Sequence, residues 1–309
     1  MHRSGISRRR FFGSAAALAG AAILARSPGL ALMARTRRES AARHAAPDSG
    51  DDAICEELFA RWTREGVSER PIGALVALAG RTFLHAPYRA NTLEEPGEEH
   101  LVVNLREFDC VTFFENSLAL AGSFSRGETR AEGFRAELRR IRYRGGEITG
   151  YASRLHYYSD WVRDNAAKQV VRDVTAELGG VPDRRVMNFM STHRASYRQL
   201  ASDDVTRAIA RTEKDLTAAA RWYLPKEKVA AALPLLRTGD VIGITTSLEG
   251  IDCSHTGLAV EDEGVMKFLH APLAGGVVQF SRGSLDAYLG AHEKQTGIIV
   301  ARPVEPFRP

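Results

Sequence analysis

The chain of 309 residues has three cysteines, Cys55, Cys110 and Cys253, and no two of them lie close together. It contains neither a C-x-x-C pair nor an H-E-x-x-H run, so the commonest zinc-ligand spacings are missing. No internal repeat or low-complexity tract stands out. Acidic residues are absent from the first 34 positions, where five arginines stand: Arg3, Arg8, Arg9, Arg10 and Arg26. Beyond that segment no run reaches the roughly 20 apolar residues that a membrane span needs.

What is present at the N-terminus explains the imbalance. Ser7-Arg8-Arg9-Arg10-Phe11-Phe12 is a twin-arginine pattern, followed by an alanine-rich apolar stretch from Phe11 to Ala25 and small residues near Ala31 and Ala34. Residues 1–34 read as a Tat-type export signal rather than as part of the fold. The apolar stretch is too short to cross a bilayer and Arg26 interrupts it, although a retained anchor is the alternative reading. The expectation is a protein handed to the Tat translocase and delivered to the periplasm or beyond, with no stable membrane span after processing. The whole chain has 42 basic and 38 acidic residues; without the five arginines, 37 face 38, a net charge of −1. The basic isoelectric point belongs to the part removed, so nucleic acid is not an expected partner.

Residues 35–52, rich in Ala, Arg, Ser and Asp, read as a flexible linker, and 53–309 as one domain. Ile54, Leu58 and Trp62 recur at helical spacing, and Pro71 precedes a second helical run from Ile72 to Ala79. Leu101 to Leu105 reads as a short strand or extended approach. A helix starting at Cys110 carries Phe114, Leu118 and Ala121 down one side, and another carries Phe134, Leu138 and Ile141. Residues 125 to about 235 form a long helical and aromatic middle section, closed by a helix from about Asp204 to Tyr223. The end is rich in strands: Gly239 to Ile244, then His255 to Val260 and Val265 to His270 around a turn at Glu261-Asp262-Glu263-Gly264, then Gly276 to Phe280 and Gly297 to Ala301. Helices first and an antiparallel sheet last make the fold class α+β.

The chemistry-bearing residues are a cysteine at a helix start and two distant histidines. A thiol attacks a carbonyl as thiolate, which a helix N-terminus and an imidazole stabilise. The imidazole then gives its proton to the leaving amine, and a third polar group fixes its tautomer. Cys110, His255 and His270 supply these parts. Cys55 reads as a small packing residue of the first helix. Cys253 stands two residues before His255, and alternation on a strand puts both on one face, which makes Cys253 a possible redox partner of Cys110. Cys110, Cys253, His255 and His270 are alternatively read as zinc ligands.

Pro87-Tyr88, Asp109-Cys110, Gly239-Asp240, His255-Thr256-Gly257 and His270 follow one another in an order that resembles the papain-like NlpC/P60 cysteine hydrolases of bacterial cell walls. More closely the chain is similar to the DUF1460, or N-acetylmuramoyl-L-alanine amidase-like, branch. Leu101 to Arg106, Ser153-Arg154-Leu155-His156-Tyr157, Asn188-Phe189-Met190-Ser191 and Ile298 to Arg302 carry that resemblance. It implies a nucleophile helix packed on a small antiparallel sheet, with a helical insertion between nucleophile and base. It implies Cys110 as nucleophile, His255 as base, His270 as orienting residue, and Tyr88 with Asp109 at the oxyanion side of the cleft. It implies a peptidoglycan or muropeptide substrate, cut between N-acetylmuramic acid and L-alanine, and no cofactor. Tyr157, Tyr158, Trp161, Asn188 and Ser191 are then candidate sugar and peptide contacts, or core residues. The alternatives are a D-glutamyl–diamino acid endopeptidase, a zinc amidase and a non-catalytic wall-binding protein.

Overall fold

A computed structural model describes residues 49–306. The export-signal reading and most of the linker reading lie outside the described residues. Helix α1, Ser49–Arg64, already occupies the last positions read as linker.

Four helices come early: α1, α2 (Ile72–Thr82), α3 (Cys110–Ser125) and α4 (Ala131–Arg142). Every residue of α3 except Val111 is buried, polar ones such as Glu115, Asn116 and Ser117 included, which makes it the central helix of the fold. Small residues let its neighbours approach: a Cβ on Gly122 would stand 3.1 Å from the Glu137 carboxylate of α4. Glu115 of α3 and Arg142 of α4 form a buried ion pair at 2.6 Å.

The middle section is less helical than its composition suggests. It holds α5 (Tyr158–Ala167), the short α6 (Phe189–Thr192), α7 (Asp203–Ala218) and α8 (Lys226–Ala232). It also holds β1 (Val171–Asp173), β2 (Val181–Pro182) and β3 (Trp222–Pro225). Helix α7 stops at Ala218 rather than near Tyr223, because Tyr223 pairs with Val181 and Leu224 with Ile298. Leu101 to Leu105 forms no strand. Side chains satisfy its backbone instead: Asp51 accepts from Leu105 N at 2.9 Å, Arg142 donates to Val102 O at 2.6 Å and Asn116 to Asn104 O at 3.2 Å.

The later strands are β4 (Val241–Thr246), β5 (Cys253–Asp262), β6 (Val265–His270), β7 (Gln279–Ser284) and β8 (Gln295–Pro303), with α9 (Leu285–Gly290) after β7. The sheet runs β2-β3-β8-β4-β5-β6-β7, with β1 also on β8, and its described pairs are antiparallel. Glu263 and Gly264, both at positive φ, form a two-residue hairpin turn between β5 and β6.

Alternation divides the core. Val241, Leu258, Val260 and Leu269 face helices α1 to α5, where Trp62, Phe113, Phe114 and Trp161 pack. Ile242, Ile244, Ala259 and Phe268 face α8 and α9. Each fully buried side chain of this size contributes roughly 1.5–3 kcal/mol. Tyr151, Tyr157, Met190, Ile209 and Leu216 build a third, smaller core under α6 and α7. The α+β class therefore holds, with three short strands of the middle section joining the sheet.

Candidate active site

Cys110 is the first residue of α3 and Asp109 its N-cap. Asp109 Oδ1 accepts from Val111 N at 3.0 Å and Thr112 N at 2.8 Å, while Thr112 Oγ1 accepts from Asp109 N at 3.0 Å. This is a capping box. Thr92 Oγ1 donates to Asp109 Oδ2 at 2.7 Å, so both carboxylate oxygens are engaged. The Asp109 carboxylate thus holds the helix start directly before Cys110. The cap takes the N–H groups of Val111 and Thr112, and Phe113 donates to Asp109 O at 3.1 Å. The Cys110 N–H is left at the positive end of the helix.

Two segments close on this helix start. Phe108 N donates to Pro87 O at 3.0 Å and Arg89 N to Phe108 O at 2.9 Å, which runs Tyr88 along the residues before Cys110. Burial raises the Tyr88 phenol, and the neighbouring Cys110 and Asp109 raise it further. From the sheet, Thr256 Oγ1 donates to Cys110 O at 2.9 Å. Burial pushes the Cys110 thiol up to about 12; Asp109 adds to the rise and hydrogen bonding from Thr256 opposes it.

His255 precedes Thr256 and lies with Cys110 around one small cavity of about 30 Å³, room for about one water. Its Nε2 is 2.7 Å from His270 Nδ1. The pair forms because β5 and β6 are hairpin neighbours and Gly257 keeps the strands close. A Cβ there would stand 2.6 Å from Leu269 O and 2.9 Å from His270 Cβ. Phe268 and Tyr288 wall the rings, at 5.7 Å from His255 and 5.1 Å from His270. Burial lowers His255 to about 4. His270 is held well below 6.5 by burial, then by His255 and His292. Both rings are neutral at pH 7.

Cys253 lines the same cavity but not on the expected face. Ile244 pairs with His255 and Thr245 with Cys253, so Ser254 is an extra residue, a β-bulge. The bulge reverses the alternation. Cys253 and Thr256 face α3, while His255 faces Phe268 and His270. The four candidate zinc ligands consequently do not converge. Among the described residues, no group of three or more His, Cys, Asp and Glu side chains is arranged to hold a metal ion. All three cysteines are free and buried.

The aromatic candidates are largely structural. Tyr157 is 3% exposed; its hydroxyl donates to Glu213 at 2.6 Å and accepts from Met190 N at 3.1 Å. Its ring offers no surface for a sugar. Tyr158 donates to Val241 O at 2.8 Å, and Trp161 is 1% exposed. Both belong to the main core and border the thiol cavity from beneath. Asn188 is exposed ahead of α6, held to Gly250 O through its N–H at 3.1 Å. Ser191 N donates to Glu213 at 3.0 Å. Neither Asn188 nor Ser191 borders the thiol cavity. Sequence reasoning gave no role to Thr256, Tyr288 or His156, which the fold brings to the site. Thr256 and His156 stood inside quoted motifs; Tyr288 had no signal of its own. A larger cavity of about 520 Å³ lies nearby, bordered by residues 93–102, 148–151, Gln199 and Val205. It contains none of the candidate catalytic side chains.

Known proteins share this fold over most of the described chain. An N-acetylmuramoyl-L-alanine amidase from Bacteroides uniformis superposes with a TM-score of 0.72 at 35% identity, covering 75% of this chain and 99% of its own. A Bacteroides fragilis protein bearing a provisional xylanase name gives 0.69 at 38% identity, covering 73% and 99%. A Legionella pneumophila protein assigned to DUF1460 gives 0.67 at 18% identity, covering 86% and 98%, a likeness of fold alone. A search of curated proteins finds no significant match. The family model described as N-acetylmuramoyl-L-alanine amidase-like matches residues 78–298, and the chain belongs to that family.

Proposed function

We propose that this chain is a cysteine amidase, of papain-like NlpC/P60 type, that hydrolyses the N-acetylmuramoyl–L-alanine bond of peptidoglycan or its muropeptides. The observation that carries the reading is the 2.7 Å bond between His255 Nε2 and His270 Nδ1, with His255 and Cys110, the first residue of α3, on one cavity. The amidase name of the Bacteroides uniformis protein supports the bond assignment.

Either ring can donate in the His–His bond, and in the proposed cycle His255 is the donor. His255 donates Nε2–H to His270 Nδ1, which leaves His255 Nδ1 as the base. The Cys110 proton moves to His255 Nδ1 as Sγ adds to the amide carbonyl. The Cys110 N–H, at the positive end of α3, faces the developing oxyanion, with Tyr88 beside it. His255 then gives its proton to the amine nitrogen, the C–N bond breaks, and the acyl group remains on Cys110. Water loses a proton to His255 Nδ1 and attacks the thioester; that proton returns to the departing sulfur. His270, kept neutral by burial, accepts from the imidazolium that forms twice in the cycle.

The twin-arginine segment belongs to the same reading: export places the enzyme where cell-wall substrate is found. Changing Arg8 and Arg9 together to Lys should retain the protein in the cytoplasm, and unchanged export without the Tat translocase would refute this assignment. For the bond itself, mass spectrometry of a defined muropeptide digest should show free stem peptide and a sugar with its lactyl group intact. Sugar that still carries L-Ala-D-Glu would mean an endopeptidase instead.

A further inference from the structure

His156 has no part in the mechanism above, yet it stands at the reacting cavity. It lines that cavity together with Cys110 and His255 and is only partly buried. Its Nε2 lies 2.9 Å from Tyr151 O. A carbonyl only accepts, so Nε2 carries the hydrogen and the neutral ring keeps an unprotonated Nδ1. Among the described residues no hydrogen bond reaches that Nδ1. Burial, reinforced by Arg154 and Arg144, lowers the ring to about 3 and keeps it an acceptor at neutral pH.

The ring is held firmly. It packs on Tyr151 with centroids 4.4 Å apart, and the Arg154 guanidinium covers Tyr151 at 4.8 Å. Arg154 is itself tied to Leu93 O at 2.7 Å and to Glu94. Tyr151 borders the 520 Å³ cavity, while His156 borders the thiol cavity, so this tilted ring pair stands between the two. The thiol cavity has room for a water and not for a sugar or peptide. A substrate whose amide meets Cys110 must extend elsewhere, and the larger cavity adjoins.

We infer that His156 is a specificity-determining residue, its Nδ1 accepting a hydrogen bond from an N–H or O–H of the substrate where it passes from the scissile amide towards the larger cavity. The inference rests on the amidase reading and deepens it. Two parts of a muropeptide offer such donors: sugar hydroxyl and acetamido groups, and the peptide N–H groups beyond L-alanine.

The test uses His156→Phe, which keeps ring size and packing but has no acceptor, and His156→Asn, whose carboxamide oxygen can take the place of Nδ1. Substrates are an N-acetylmuramoyl tetrapeptide, N-acetylmuramoyl-L-alanine, and a sugar-free lactyl-L-Ala-D-Glu. On the tetrapeptide, kcat/KM of His156→Phe should fall roughly tenfold, mainly through KM, with most of the loss recovered in His156→Asn. Wild type and His156→Phe should then agree within about twofold on whichever truncated substrate lacks the donor. Agreement on the sugar-free substrate assigns the donor to the sugar; agreement on N-acetylmuramoyl-L-alanine assigns it to the peptide. An equal defect on all three substrates, or none on any, overturns the inference. Calorimetric binding of the tetrapeptide substrate to Cys110→Ala, with and without His156→Phe, reads the contact without turnover. There Kd should weaken roughly tenfold, and an unchanged Kd overturns the inference. Binding without wild-type turnover would sink the amidase reading while this arm still decides the role of His156; no binding would overturn both.

Discussion

Cys253 and His255 stand two residues apart on β5 and face opposite sides of the sheet, because the bulge at Ser254 shifts the pairing with β4 between Ile244 and Thr245. The thiol is turned onto the face covered by α1 to α5. There a Cβ on Gly243 would stand 2.8 Å from its sulfur, so it fills space against β4 and Tyr158. The imidazole is turned towards its partner on β6.

The first prediction concerns this thiol. Burial, then Asp252, raises Cys253 well above 9.0, so little nucleophilic thiolate forms. Cys253→Ala should keep activity within about twofold and show the same sensitivity to mild oxidant as wild type. Activity lost on oxidation, restored by reductant, and protected in Cys253→Ala would instead show a Cys110–Cys253 disulfide acting as a brake.

A second prediction concerns His270, a positioning residue that acts through His255. His270→Phe removes the acceptor for His255 Nε2–H and frees the ring to take the other tautomer. It should lower kcat by about 10²–10⁴ with little change in KM. His270→Asn, which offers an oxygen near the position of Nδ1, should recover part of that loss. Equal damage to KM in both variants would mean that the residue holds the fold rather than the tautomer.

pH dependence follows from the same burial. With His255 lowered to about 4 and Cys110 raised to about 12, the resting pair is a neutral thiol and a neutral imidazole. The thiolate ultraviolet absorbance of wild type minus Cys110→Ala should be absent at pH 7, and kcat/KM should rise through an acid limb near 4. A thiolate band at neutral pH would show an ion pair already formed. Stability has the matching sign. The folded value of His255 is depressed, so its contribution is complete above the unfolded value of 6.5 and is lost as pH falls towards 4. Thermal melting should weaken across that interval.

The sequence made the reacting parts legible because they sit in local frames. Asp109, Cys110 and Thr112 announce a capped helix, and Glu263-Gly264 with its flanking strands announces the hairpin that brings His255 to His270. What stayed hidden depends on contacts distant in sequence. The Ser254 bulge is a pairing offset against β4 and leaves no local mark. Tyr157 and Trp161 look like a sugar platform until Glu213 and the main core claim them. Leu101 to Leu105 has strand composition, but Asp51, Asn116 and Arg142 satisfy its backbone from three helices. The two- to four-residue strands β1, β2 and β3 are too short to show a period.

The central claim is that the Cys110 sulfur performs the attack. The measurement that tests it most directly is turnover of a defined N-acetylmuramoyl tetrapeptide by wild type and by Cys110→Ala, with thermal melting run beside it. Cys110→Ala should melt within a few degrees of wild type, since a single thiol is exchanged for a smaller side chain at the helix start. Its turnover should fall by at least about 10³-fold. Cleavage by Cys110→Ala within about tenfold of wild type would contradict the account.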